Sequence, residues 1–201
     1  MQGKIDSSFV TQQRDMFTSG VAAEIGMNAY GVWTAIKYHA DYETGKSWPG
    51  MRRLGELTGL SKSTVDRCID TLEKAHLLRV AKRDKGRGLE YVARERLAIR
   101  VGSRVLCTIV IDYVPNKMRE RLNRLEEALA SGENDTEAFA HVEIIPGEGF
   151  KWDSQAGVLR AEIPASEIPP SVNSEDEYHR KIGEAMLAKM APAASKKLGK
   201  R

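Results

Sequence analysis

The strongest constraint on the fold is a pair of short helical patterns within residues 47–78 that a single glycine separates. In the first pattern, Met51, Leu54 and Leu57 recur at spacings of three, which predicts an amphipathic helix with these side chains facing inward. Gly59 follows directly, and glycine commonly ends a helix because it accepts the positive φ of the turn that comes next. The pattern therefore predicts a short helix that ends in a tight turn.

A second helix is predicted immediately after this turn. Ser61 suits its N-cap position, where a serine oxygen accepts a hydrogen bond from a free N–H group. Four apolar residues then recur at i, i+3, i+4 and i+7, the period of a helix with one buried face. They are Val65, Cys68, Ile69 and Leu72. Two helices joined by so short a turn are typical of a helix-turn-helix.

A β-hairpin is predicted after the second helix. Residues 77–83 and 89–93 have the alternating or neighbouring apolar side chains of short strands, and residues 84–88 between them contain two glycines. A helix-turn-helix followed at once by two strands with a glycine-containing tip makes a winged helix. We therefore predict a winged helix here.

The candidate DNA-binding residues are basic or hydroxyl side chains in both helices and in the hairpin. The start of the second helix offers residue types that reach phosphates and base edges in a major groove. The first helix and the hairpin offer cations for the sugar–phosphate backbone. The set comprises Arg52, Arg53, Lys62, Ser63, Thr64, Arg67, Lys82, Arg83, Lys85 and Arg87. It predicts that recognition helix and wing tip bind double-stranded DNA together.

A larger set of residues in the same region matches a pattern of known proteins. It consists of Trp33, Tyr38, Trp48-Pro49, Leu54, Thr58-Gly59-Leu60-Ser61, Thr64-Val65, Leu72, Leu77-Leu78 and the run from Glu90 to Ala98. Through these residues, the segment from about Gly31 to Leu97, a third of the chain, resembles the winged-helix module of plasmid and phage replication proteins. The final run is similar to the Y-V-V-N-x-x-x-A continuation of small replication initiators, but Ala93-Arg94 stands where that pattern has Val-Asn. The resemblance implies repeated or palindromic sites at an origin, and host replication proteins as partners.

Two other functions stay open, because transcription repressors use the same module. One is a transcriptional repressor, including one that regulates its own gene, which acts as a homodimer on an operator. Such a dimer places two recognition helices about one turn of DNA apart. The other is an adaptor, in which the winged helix is a platform for a partner protein and the basic hairpin is merely solvated.

The predicted fold class is α+β. A winged helix-turn-helix domain with an N-terminal arm takes residues 1–100, a small β-α-β-β domain suited to dimerisation takes 101–170, and a C-terminal helix with a basic tail takes 171–201. The elements of the second region are strands at 104–113, 138–145 and 158–163 and a helix at 116–131.

The charge distribution supports a nucleic-acid partner for the first region. Residues 1–100 contain 17 Lys and Arg against 12 Asp and Glu, whereas residues 101–170 contain 7 against 12. The whole chain carries a net charge of only +3, so the total hides this division. A basic region beside an acidic one indicates which of the two contacts a polyanion.

The sequence lacks the patterns of a catalytic, cofactor or metal site. It has no phosphate-binding loop of the form G-x-x-x-x-G-K-[ST], and its four histidines lie far apart without cysteine pairs. We therefore expect no enzymatic activity, no cofactor and no metal. Cys68 and Cys107 lie in apolar patterns and are predicted to be buried thiols of a reducing compartment. With no apolar run of about 18 residues, we expect no membrane contact and a place in the bacterial cytoplasm.

Overall fold

The structure, a computed structural model, describes residues 10–82, 88–131, 136–139, 141–153 and 158–162. It is a mixed arrangement of helices and strands with the helix-turn-helix in its N-terminal part. The elements in chain order are α1 (Asp15–Thr18), α2 (Val21–Tyr38), β1 (Lys46–Ser47), α3 (Met51–Thr58), α4 (Lys62–Lys74), β2 (Leu78–Lys82), β3 (Leu89–Val101), β4 (Arg104–Asp112), α5 (Met118–Ser131), α6 (Thr136–Phe139), β5 (Val142–Pro146), β6 (Phe150–Asp153) and β7 (Val158–Ala161).

The core of the N-terminal part lies where α2, α3 and α4 meet. The four apolar residues that predict the second helix, Val65, Cys68, Ile69 and Leu72, are all buried on α4. They pack in the same core as Trp33 and Ile36 of α2. The predicted period of this helix is therefore confirmed.

The predicted inward stripe of α3 is wrong at one end. Leu54 is fully buried, but Met51 is half-buried and Leu57 is 41% exposed. Residues three apart on a helix differ by about 60° in direction, so a stripe spaced by threes spans a wide arc. Leu54 is the buried residue of this eight-residue helix, and Leu57, at the edge of the arc, faces solvent.

Strand β3 is the common partner of the strands around the helices. It pairs antiparallel with β1, with Ser47 opposite Tyr91, and with β2, where Leu78 lies opposite Ala93 and Lys82 opposite Leu89. The same sheet continues from β3 through β4 to β5. The antiparallel pairing of β2 with β3 directly after α4 agrees with the two predicted strands of the hairpin, but β3 runs to Val101 and not only to residue 93.

The later part of the chain differs from the predicted strands in two places. Residues 136–139 form α6, so the strand predicted at 138–145 is wrong at its start, and the observed strand is Val142–Pro146. Strand β6 was not predicted, because its residues lie in a glycine-rich stretch that is typical of turns. The N–H of Phe150 donates to the carbonyl of Gly147 at 3.1 Å, which closes a tight turn. Strand β6 begins at the end of this turn and pairs antiparallel with β7.

The chain forms two compact units. The first comprises Met1–Leu97 and Val110–Leu122, and the second comprises Ala98–Ile109 and Asn123–Arg201. The predicted division at residues 100 and 170 stays a prediction. The predicted C-terminal helix and basic tail lie outside the described residues. In the part of the chain that the structure describes, no helix has the length and apolar character needed to cross a membrane.

A buried ion pair ties several segments of the first unit together. The ammonium group of Lys37, on α2, donates to a carboxylate oxygen of Glu95 on β3 and to the carbonyl of Thr11 at 2.5 Å. It also lies 4.3 Å from the ring centroid of Trp33 and 4.1 Å from that of Tyr113. The cation is therefore enclosed by a carboxylate, a carbonyl and two aromatic rings.

Candidate nucleic-acid interface

The turn between α3 and α4 is closed by a backbone contact. Gly59 has φ +72°, as predicted for the residue that ends α3, and the N–H of Leu60 donates to the carbonyl of Gly55 at 3.2 Å. A Cβ at Gly55 would lie only 2.7 Å from the carbonyl oxygen of Leu60. The close approach of α3 to the turn therefore requires glycine at position 55.

A cluster of hydroxyl groups surrounds the start of α4. Ser61 is the N-cap residue, as predicted, and its Oγ accepts from the N–H of Thr64 at 3.2 Å. The hydroxyls of Ser63 and Thr64 lie 3.1 Å and 2.9 Å from the same oxygen. The first turn of α4 is thus capped within the chain, and its hydroxyl groups are placed at the exposed end of the helix.

The predicted recognition residues lie on the solvent side of α4. Lys62, Ser63 and Arg67 are exposed, and Thr64 is half-buried. A guanidinium nitrogen of Arg67 lies 3.4 Å from the hydroxyl of Thr64, so these two side chains lie next to each other. This face presents positive charge and hydroxyl groups together, while the opposite face of α4 is fixed in the core.

Acidic side chains on the same helix were missed by the sequence reasoning. Asp66, Asp70 and Glu73 are exposed on α4. Asp66 and Glu73 lie on the flank towards Tyr91 of β3, whose pKa is raised by burial and further by these two carboxylates. A helical projection of residues 62–74 would have found them. The solvent face of α4 therefore carries carboxylates as well as cations, and the carboxylates of Asp66 and Glu73 lie towards Tyr91.

Two further predicted cations lie on the first turn of α3. Arg52 and Arg53 are exposed and lie 3.4 Å and 3.6 Å from the carboxylate oxygens of Glu56. Exposed pairs of this kind are weak, so both guanidinium groups remain accessible to a stronger anion. Arg53 also lies near His39, whose pKa is lowered by burial and by this positive charge.

An open groove of about 550 Å³ lies beside Arg67 of α4. One wall is the start of the second part of α2, after the break at Gly26, where φ is 77° and ψ is 157°. The other wall includes Thr64, Arg67 and Thr71 of α4. This groove places Arg67 at the border between α4 and α2.

The hairpin is described only at its base. Lys82, at the end of β2, is exposed. The predicted tip cations Arg83, Lys85 and Arg87 lie outside the described residues. The predicted common orientation of the tip and the start of α4 therefore stays a prediction.

Metal-ligating side chains do not gather in groups of three within the described ranges. Both cysteines are free and buried, as predicted. Burial raises the pKa of the Cys107 thiol to about 12 and also raises that of Cys68, where nearby Arg67 opposes the effect.

A comparison with known protein families matched the N-terminal helices to one family. Residues 23–78, which span most of α2 and all of α3 and α4, match the family described as "Helix-turn-helix domain". The match covers the core and the candidate recognition residues of α3 and α4. No curated protein and no solved structure matched the chain. The chain thus contains a helix-turn-helix domain, and a domain of this type suggests DNA as its partner.

Proposed function

We propose that this protein binds double-stranded DNA sequence-specifically through a winged helix and that it initiates replication of a plasmid or phage. The observation that carries the DNA-binding part is the exposed face of α4. Lys62, Ser63 and Arg67 are presented there on a helix whose other face is locked in the helix-turn-helix core. A helix held in this way suits docking in a major groove, where its first residues reach base edges.

The strands after α4 support the winged form of the module. β2 and β3 pair antiparallel from Leu78 to Lys82, and β1 pairs with β3 as well. A strand pair rooted directly behind the recognition helix is where a wing extends. Lys82 stands at the last described position before the tip, and we assign Arg83, Lys85 and Arg87 to the sugar–phosphate backbone on this basis.

The carboxylates of α4 refine the proposed contact. Carboxylates repel phosphates, so phosphate contacts are disfavoured next to Asp66 and Glu73. We assign Arg67, which lies away from these two carboxylates, to a base edge in the major groove. Asp70 is suited to accept a hydrogen bond from the exocyclic amine of cytosine, which is a base contact that tolerates a negative charge.

The replication assignment rests on the resemblance of residues 31–97 to replication proteins. This resemblance implies repeated sites at an origin as the target and a host replication protein as the partner. We further propose that the chain is a binding protein and not an enzyme, and that it works in the bacterial cytoplasm. Repression by a homodimer on an operator is the alternative that the same module serves.

Footprinting on the DNA that flanks the gene tests both parts of the proposal, the binding of DNA and the initiation of replication. Protection of tandem repeats supports replication initiation, and protection of a single palindrome over a promoter supports repression. If the full-length protein protects neither and binds no duplex in solution, the DNA-binding proposal is wrong and the adaptor function takes its place.

Single variants test the contact assignment on any site found in this way. Arg67→Ala is expected to weaken specific binding by about 1–3 kcal/mol, the usual value for an arginine that reads a base. Lys85→Ala is expected to weaken binding to every sequence and to lower the salt dependence by about one counterion. Arg160→Ala removes an exposed arginine from the second unit and is the matched control. Equal affinity of all four proteins at moderate salt would contradict the assignment.

A further inference from the structure

The solvent side of α2 lacks the charged residues that normally cover a surface helix. In the regular part of α2, from Met27 to Tyr38, the core side is formed by buried Ala29, Val32, Trp33 and Ile36. Four residues recur on the opposite side at spacings of four, three and four, which keeps them in one row along the helix. They are Met27, Gly31, Thr34 and Tyr38, and we call this row the α2 stripe. It contains no charged residue.

The α2 stripe is open to solvent along its length. Met27 is 66% exposed and Tyr38 is 51% exposed, while Gly31 and Thr34 are half-buried. A Cβ at Gly31 would meet nothing within 4 Å, so there is free space in front of the middle of the stripe. A glycine inside a helix costs about 0.5–1 kcal/mol relative to alanine. Here it leaves a flat centre that another helix can approach closely.

The hydroxyl groups at the middle of the stripe are already hydrogen-bonded within the chain. The hydroxyl of Thr34 donates to the carbonyl of Tyr30 at 3.0 Å. Tyr30 lies beside the stripe, and its own hydroxyl donates to Oε1 of Gln12 at 2.7 Å. The ring of Phe17, which is 56% exposed, lies 5.5 Å from that of Tyr30 and extends the apolar surface. Covering these groups therefore leaves no polar partner unmatched, which keeps the cost of burial low.

We propose that the α2 stripe is a contact surface between two copies of this chain, related by a two-fold axis. The stripe has no cation, so it does not suit a nucleic acid, whose affinity comes from neutralised phosphates. In a two-fold contact the same patch of both copies meets itself, and an uncharged patch does so without like-charge repulsion. This inference is independent of the proposed DNA-binding function. It places self-association on α2, whereas the sequence suggested residues 101–170.

The size of the surface sets the strength of the contact. The regular part of α2 is about 18 Å long. Together with Phe17 and Tyr30 it offers roughly 400 Å² per copy, half of the about 800 Å² that each partner contributes to a standard interface. We therefore expect a weak, reversible dimer with a dissociation constant on the order of 10–100 µM.

Sedimentation velocity of the full-length protein without DNA tests the contact, over a concentration series that spans this constant. Thr34→Lys and Thr34→Glu should each weaken dimerisation at least about tenfold, because residue 34 of one copy lies near residue 34 of the other and like charges repel. A one-to-one mixture of the two variants should restore dimerisation, since the charges are then opposite. Thr34→Val keeps the stripe neutral and should dimerise like the wild type. Asn123→Lys and Asn123→Glu, at an exposed position of α5, are the matched controls.

Three results would overturn the inference. One is a wild-type protein that stays monomeric throughout the series, and another is equal dimerisation of the wild type and both charged Thr34 variants. The third is loss of dimerisation in both variants without recovery in their mixture, since the two copies then do not meet at residue 34. Recovery in the mixture requires that both variants are folded, so it also excludes misfolding as the cause of the loss. None of these results bears on DNA binding, because no DNA is present.

Discussion

Replacing Lys37 by methionine tests what the buried ion pair contributes to the fold. The substitution removes the cation from Glu95, which is only 1% exposed and whose second carboxylate oxygen has no hydrogen-bond partner among the described residues. It also removes the donor to the carbonyl of Thr11. The methionine retains most of the side-chain volume, so the loss is one of charge and not of packing.

The expected loss in free energy of unfolding follows from these contacts. Breaking a buried pair by removing one partner costs about 3–5 kcal/mol. A thioether beside the rings of Trp33 and Tyr113 recovers about 0.3–1.5 kcal/mol through sulfur–aromatic contacts. A net loss of about 3 kcal/mol near neutral pH lowers the melting temperature by roughly 10 °C for a chain of this size.

The loss should depend on pH in a stated direction. Burial raises the pKa of Glu95, and Lys37 opposes this by lowering it. A raised pKa in the folded state means that the carboxyl destabilises the fold as pH rises above its ordinary value of 4.5. Without Lys37 the folded pKa rises further, so the deficit of Lys37→Met grows as pH rises through the raised folded pKa of the wild-type carboxyl. The deficit shrinks at lower pH, where the carboxyl is protonated in the folded state of both proteins.

Urea and thermal unfolding, followed by tryptophan fluorescence in a Trp152→Phe background, measure this loss of stability. The remaining tryptophans lie in the first unit, so the signal reports on that unit. The matched control is the double variant Lys37→Met with Glu95→Leu, which leaves no buried charge and should recover most of the lost stability. A double variant as unstable as Lys37→Met, or a deficit of Lys37→Met that is the same at both ends of the pH range, would refute the reasoning.

Three further predictions concern stability and reactivity. Ser61→Ala should lower the free energy of unfolding by about 1 kcal/mol, since Oγ caps the N–H of Thr64, while Ser61→Asp should retain the cap; denaturant titration compares them. Gly55→Ala should destabilise by about 1–3 kcal/mol, because its Cβ would lie 2.7 Å from a carbonyl oxygen, although helix propensity alone predicts a gain of about 1 kcal/mol. If Gly55→Ala is instead more stable than the wild type, the turn can shift to accommodate the methyl group, and the reasoning from this contact is wrong. Iodoacetamide should leave Cys107 unmodified in the folded protein, as its pKa is about 12 and it is fully buried, and peptide mass analysis that finds rapid labelling would contradict the assigned burial.

The helix-turn-helix was predictable because its signals are local. The cap at Ser61, the left-handed Gly59 and the buried period of α4 each follow from residues within about two helical turns of each other. The exposed positions of Lys62, Ser63 and Arg67 follow from the same period, while their contacts with DNA stay predictions.

Other features depend on contacts that local patterns do not carry. Lys37 and Glu95 lie 58 residues apart, and a lysine on a helix normally faces solvent. The 41% exposure of Leu57 depends on how much of α3 the core covers, which a spacing of threes does not give. Strand β6 was hidden because its pairing with β7, and not its composition, makes it a strand.

The helix-turn-helix unit is not a continuous piece of chain, since it takes in Val110–Leu122 as well as Met1–Leu97. The N–H of Tyr113 donates to the carbonyl of Ala93 at 2.8 Å, and that of Asn116 to the carbonyl of Tyr42 at 3.2 Å. A fragment cut after residue 97 would lack both bonds and one of the two rings around Lys37. An N-terminal fragment that ends at residue 97 is therefore expected to be less stable than the whole first unit, even if it keeps every side chain assigned to DNA.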